Sequence, residues 1–249
     1  MGPEKLAALS RRVEAVGFLI LGGFHTQPGH AGEGGDTGEG GDTGERFPRA
    51  GDGRVARTLI LAGNAGPALW RAFRAAPEAS DGAPDPLDRY TRRTLGAVAG
   101  ASGLAVVFPF DRPWWPFQSW ALAVGGFSQS PMGVLAHHRY GPWAGLRAAF
   151  VSGERFAAFA QDGTPGPCPA CEEKPCIAAC PAHALGPRGY DVPRCLAHLA
   201  ATPGPACLSG CLARVACPWG MPYRQQEEQA RFHMRAFTAW DTGSANKGT

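Results

Sequence analysis

All eight cysteines of the 249-residue chain fall between Cys168 and Cys217. A thiolate is both a nucleophile and a soft metal ligand, so this concentration is the first chemistry the sequence offers. Cys168, Cys171, Cys176 and Cys180 form a C-x2-C-x4-C-x3-C run followed by Pro181. Cys195, Cys207, Cys211 and Cys217 follow, with gaps of eleven, three and five residues before Pro218. Structural zinc favours two separated C-x2-C pairs or cysteine mixed with histidine, and only Cys168 and Cys171 make such a pair. Disulfide staples would be spread over the fold they hold and are rare in a reducing compartment. Close-spaced thiolates with a proline after the last are the pattern of iron–sulfur cubanes. Eight thiolates suit two 4Fe-4S clusters, a reading placed ahead of a single cubane, zinc or disulfides.

In two-cluster ferredoxins the fourth cysteine of each run ligates the other cluster. Applied to this chain, Cys168, Cys171, Cys176 and Cys217 take the first cluster, and Cys180, Cys195, Cys207 and Cys211 take the second. Metal binding then supplies folding free energy to a segment too small for a large core. His183 and His198 stand near these cysteines, either hydrogen-bonding to sulfur or lying at the surface. Clusters with every iron ligated are carriers, so any catalysed reaction needs groups elsewhere.

The elements ahead of the cysteines read as a mixed domain. Leu6, Leu9, Val13 and Val16 recur at helical spacing, and Val16 to Leu21 reads as a buried strand ended by Gly22-Gly23. Thr58 to Leu61 is a second strand, and Gly63 to Gly66 turns into a helix with Trp70 and Phe73. That glycine turn lacks both the dinucleotide fingerprint and the P-loop lysine, so it is read as a turn. Asp85-Pro86 starts a helix carrying Leu87, Tyr90, Leu95 and Val98. Further strands are expected over Gly103 to Phe110, Met132 to His138 and Leu146 to Ser152. His137 and His138 should point to opposite faces of their strand. Trp114, Trp115, Phe117 and Trp120 are either core or the wall of a flat-ring pocket, with core the stronger reading. Helices and strands mix without strict alternation, which predicts an α+β class.

Composition sets the remaining bounds. The chain is 44% hydrophobic and 18% charged, enough to bury a core. No apolar run spans a bilayer, so no membrane insertion is expected. Ser10-Arg11-Arg12 ahead of Ala15 to Phe24 has the look of an export signal, but Glu14 and the glycines interrupt it, and a cytoplasmic location is expected. The net charge is +3, made of −4 over Thr26–Gly53 and +7 over the rest, without the basic blocks of a nucleic-acid binder. The glycine–acid repeat from Gly32 to Thr43 reads as a flexible surface insertion. The expected organisation is a helix and strand over 1–25, an insertion over 26–53, an α+β domain over 54–160, a cluster domain over 161–237 and a flexible tail over 238–249.

Cys168 to Trp219, with Pro193-Arg194-Cys195, Gly210-Cys211 and Cys217-Pro218-Trp219, resembles the ferredoxin segment of the epoxyqueuosine reductase family, cobalamin-dependent reductases with the same ligand exchange. Asp85-Pro86-Leu87-Asp88 and Gly133 to Trp143 resemble cobalamin-processing (CblC-type) proteins. That second resemblance implies a nitroreductase-like sheet domain and places His137, Arg139 and Trp143 beside a corrinoid. From Arg57 to Phe237 the chain is similar to bacterial ferredoxin-like proteins with this two-part organisation. His138 and Pro142 depart from the family's proline and glycine. No C-terminal repeat domain that grips tRNA follows, so nucleic acid is not an expected partner.

Two readings of function follow. In the first, the chain carries two 4Fe-4S clusters for electron transfer to a redox partner protein or a cofactor at the N-terminal domain. In the second, it is a corrinoid- or flavin-binding oxidoreductase, or a cobalamin-processing enzyme, fed by the clusters. A non-redox role, with clusters only stapling the fold, is the third possibility.

Overall fold

The computed structural model of the chain describes residues 2–26, 47–156, 163–186, 189–201, 204 and 206–244. In chain order the elements are α1 (Pro3–Ala15), β1 (Leu19–His25), β2 (Thr58–Asn64), α2 (Ala68–Arg74), α3 (Pro86–Ser102), β3 (Ala105–Val107), α4 (Phe117–Val124), β4 (Phe127–Gln129), β5 (Leu135–His137) and β6 (Gly145–Ser152). There follow α5 (Pro175–Ala178), β7 (Leu185–Gly186), β8 (Gly189–Tyr190), α6 (Val192–Ala201), α7 (Leu212–Val215) and α8 (Glu227–Ser244). The class is α+β. The chain divides into two units, one of Met1–Gly126 with Ala144–Thr164, the other of Phe127–Trp143 with Pro165–Thr249.

The first unit is built on an antiparallel sheet in the order β1-β2-β6-β3. Every residue of β2 is buried, which explains its continuous apolar run: a strand covered on both faces has no polar side to alternate with. Ile60 pairs with Phe150, both buried at the middle of the sheet, and Phe150 in turn pairs with the half-buried Val106. Leu9 and Val13 of α1 are fully buried, as are Leu69 and Phe73 of α2 and Leu95 of α3 to within about a side-chain edge. Pro86 occupies the first turn of α3, and Gly103 closes the helix in the left-handed conformation (φ 65°) that glycine adopts freely. The Tyr90 hydroxyl donates to the Val16 carbonyl at 2.9 Å, tying α3 to the end of α1. Phe117 and Trp120 are buried on α4, with Trp115 stacked on Trp120, so these aromatics serve the core. Trp114 is exposed, with Arg112 over its ring.

Short elements make the second unit. β4 and β5 form a hairpin of three residue pairs, from Phe127↔His137 to Gln129↔Leu135. A second hairpin pairs Leu185 with Tyr190. The buried centre gathers Met132, Cys176, Cys180, Ala184, Leu185 and Ala213, with Ile177, Tyr190, Cys195 and Cys211 packed against it.

Several expectations change. The first strand runs Leu19–His25 and not 16–21, because a register shift at Ile20/Gly22 absorbs the glycines and lets Gly23 pair with Ile60. The strand expected over 132–138 shrinks to Leu135–His137 and pairs with β4, outside the main sheet. Residues 127–143, expected in the 54–160 domain, therefore go with the cysteine-bearing unit. Of the insertion over 26–53, residues 27–46, and with them the glycine repeat, lie outside the described residues. Residues 47–53 are folded: Arg49 bridges to Val55, and the Ala50 N–H donates to the Arg54 carbonyl. The tail expected from 238 continues α8 to Ser244, since the helix-forming Glu227–Trp240 stretch meets neither proline nor glycine before Gly243. Among the described residues, no helix is long and apolar enough to cross a membrane.

Candidate metal centre

Two four-residue helices position half of the thiols. Cys176 lies at the start of α5 and Cys180 just past its end. Cys211 caps the start of α7, and Cys217 lies just past its end. The two helices pack together, and Cys176, Cys180 and Ala213 share the unit's buried centre. Cys168, Cys171, Cys176 and Cys217 line one recess, together with Pro131, Met132, Lys174, Pro218 and Trp219, and it is partly open to solvent. The thiols that act on one another electrostatically follow the same division. Cys168 faces Cys217 and Cys171, and Cys176 faces Cys217, Cys168 and Cys171. Separately, Cys195 faces Cys211 and Cys180, and Cys207 faces Cys211, Cys195 and Cys180.

Four of the sulfurs thus share one recess, and the other four act electrostatically on one another. The cause is local. With Cys176 and Cys217 in one quartet and Cys180 and Cys211 in the other, α5 and α7 lie head to tail, and each carries one thiol to each quartet. Four residues of helix rise about 6 Å, so the two groups are held a short step apart.

All eight cysteines are free thiols. Burial pushes the thiols of Cys168, Cys176, Cys195, Cys207 and Cys217 upward, and repulsion from neighbouring thiols adds to it. Opposing contributions come from donors aimed at sulfur: the backbone N–H of Ile177 at Cys176, of Leu212 at Cys207 and of Trp219 at Cys217. Ser128 lies within reach of the Cys168 sulfur, and its Oγ also accepts the Cys168 N–H at 3.1 Å. Tyr190 packs against the same buried centre as Cys195. Burial, first of all, holds that phenol far above its ordinary range.

Such a donor set fits an iron–sulfur cubane. Among the described residues, no group of three or more His, Cys, Asp or Glu side chains is arranged to hold a metal ion. A single ion draws its donors around one point, whereas in a cubane each thiolate binds its own iron and the four sulfurs surround a cage. Burial and mutual repulsion resist deprotonation of the empty thiols, and a cationic iron core reverses both effects.

His137, Arg139 and Trp143 have separate surroundings. His137 is buried at the end of β5 against Phe127, His138 and Tyr140, and its Nδ1 accepts the Arg139 N–H at 3.0 Å. The rings of His137 and His138 lie 4.3 Å apart and do not point to opposite faces, because the strand ends at His137 and the chain turns. Arg139 is exposed, lies over Tyr140 and donates to the Tyr223 hydroxyl. Trp143 is buried beneath the Arg214 guanidinium, which also donates to the Pro142 carbonyl at 2.9 Å from Nε. Behind Cys217-Pro218 the chain passes so close to this segment that a Cβ on Gly220 would sit 2.1 Å from the Tyr140 carbonyl oxygen. Gly220 also has φ 69°, so glycine is required there twice over. Trp143 thus ties the 137–143 segment to α7 and Arg139 ties it to Tyr223, whereas His137 packs within the segment and on Phe127.

His183 is exposed, with its backbone N–H on the Cys180 carbonyl, and His198 is half-buried on α6. Ser128, whose Oγ accepts the Cys168 N–H, carries no spacing signal because it comes from a hairpin 40 residues away in sequence. No family model matches the chain, and no curated protein is significantly similar to it.

Proposed function

We propose that this chain is an electron-transfer protein carrying two 4Fe-4S clusters, with a redox protein as its partner. Cys168, Cys171, Cys176 and Cys217 hold the first cluster, and Cys180, Cys195, Cys207 and Cys211 hold the second. On this reading the second unit is a dicluster ferredoxin domain and the first a nitroreductase-like sheet domain. The observation that carries it is the grouping of the thiols. Cys217, last in sequence, lines one recess with Cys168, Cys171 and Cys176, while Cys180 faces the later cysteines.

When bound, each cluster supplies a one-electron couple. The protein does the rest. Pro131, Met132 and Pro218 wall the first quartet and limit water. Lys174 favours the charged form of Cys168, and its ammonium donates to the Cys171 carbonyl at 3.1 Å. Backbone N–H groups aimed at Cys176, Cys207 and Cys217 stabilise thiolate over thiol. α5 and α7 keep the two ligand sets about 6 Å of helix apart, close enough for electrons to pass between them.

Protein purified without oxygen should contain about eight iron and eight sulfide per chain, with absorption bleached by dithionite. Cys217→Ala should lose roughly half of the iron, and the loss should fall on the first cluster despite the residue's place in the second run. Unchanged iron and unchanged spectra in that variant would defeat the assignment.

A further inference from the structure

We infer that the turn carrying Trp219 and Met221 is the docking face for an acidic one-electron carrier protein, which passes its electron to the first cluster there. This rests on the two-cluster reading above. Two segments of the second unit build the face, 127–143 and 211–226. The Arg139 guanidinium donates to the Tyr223 hydroxyl at 3.1 Å, and that of Arg214 to the Pro142 carbonyl at 2.9 Å. The rings of Tyr140 and Tyr223 meet edge to face, 4.8 Å apart. A Cβ on Gly141 would stand 2.2 Å from the Trp219 carbonyl oxygen, so the two backbones touch directly.

Exposed hydrocarbon is the first sign of a partner. Among the described residues seven large hydrophobic side chains are exposed, and Val134, Val215, Trp219 and Met221 are four of them. More than half therefore fall on these two short segments. An exposed apolar surface that combines Trp and Met with arginine has the composition of a protein interface. Charge says which kind of protein. The two segments hold Arg139, Arg214 and Arg224 and no Asp or Glu. With Glu172, Glu173 and the recess-lining Lys174 counted, the balance is still +2. Arg139 and Arg224 donate to the Tyr223 hydroxyl and the Val215 carbonyl, neutral groups that leave both charges in place. Such a rim attracts an acidic surface. Access says what passes between them. Trp219 lines the recess of Cys168, Cys171, Cys176 and Cys217 and is itself 42% exposed. A protein seated on that ring is one side chain from the first cluster's ligands. One electron leaves the carrier's centre and enters the cluster, with no bond made or broken.

The test uses flavodoxin, an acidic flavin protein, reduced to its hydroquinone and mixed without oxygen with the iron-loaded chain. The wild type should oxidise it with a second-order rate constant that falls as salt is raised. Met221→Glu puts a repelling charge on the patch, at a residue outside the lining of the recess. It should lower the rate constant roughly tenfold, with iron content and dithionite bleaching unchanged. Arg139→Gln should lower it less and flatten the salt dependence. A loaded wild type that flavodoxin cannot reduce, or whose rate ignores salt, would overturn the docking face and leave the two-cluster reading standing. So would a loaded Met221→Glu chain that reacts as fast as the wild type. A wild type without iron would overturn both. If Met221→Glu loses iron, Val215→Glu takes its place on the same patch, and an unchanged rate there overturns the inference equally.

Discussion

The two units bury different things. In the first, Leu59, Ile60, Leu61, Phe150 and Val151 form a continuous apolar sheet interior, and helices cover it with Leu9, Val13, Leu69 and Phe73. In the second, the buried centre counts Cys176 and Cys180 among its members, Cys195 and Cys211 pack against it, and its strands are two or three residues long. An apolar core is favourable by itself, because removing hydrocarbon from water needs no partner. A core of thiols becomes strongly favourable only when a metal takes the sulfurs. On the two-cluster proposal, one polypeptide thus contains a unit stable by packing and a unit whose stability is tied to bound iron.

The sharpest way to break this contrast is to take the iron away. Chelation under reducing conditions should melt the second unit and spare the first. Amides of Leu59 to Ala62 should remain protected from hydrogen exchange, while those of α5, α6 and α7 exchange freely. Equal protection of α5–α7 with and without iron would show that its packing alone suffices.

A smaller and opposite effect comes from cutting the sheet. Phe150→Ala, at the meeting of β2, β3 and β6, should cost about 3–5 kcal/mol of first-unit stability in a denaturant titration. Iron per chain should not change. A parallel loss of iron would mean that the two stabilities are coupled.

Local order was legible wherever one stretch of sequence decides its own structure. The buried run Thr58–Leu61 announced β2, and Asp85-Pro86 announced the start of α3. The aromatics Phe117 and Trp120 were read correctly as core. Local order misled at 132–138, where a short apolar stretch suits a main-sheet strand as well as the three-residue hairpin it makes with Phe127–Gln129. Nothing local distinguishes those two, because pairing is chosen by the partner strand. The same ambiguity put His137, Arg139 and Trp143 on the wrong unit.

The sequence by itself determined the donor chemistry: eight thiols within fifty residues, each run ended by proline, and an apolar α+β region ahead of them. Spacing could propose that Cys217 belongs with Cys168, Cys171 and Cys176. Only the tertiary structure could put them around one recess, because that depends on α5 and α7 packing head to tail. It alone decided that the 127–143 segment lies with the cysteines, where the Ser128 Oγ accepts the Cys168 N–H. Residue types dictate which bonds are chemically available, but contacts between distant parts of a chain are selected by packing, and no local pattern encodes them.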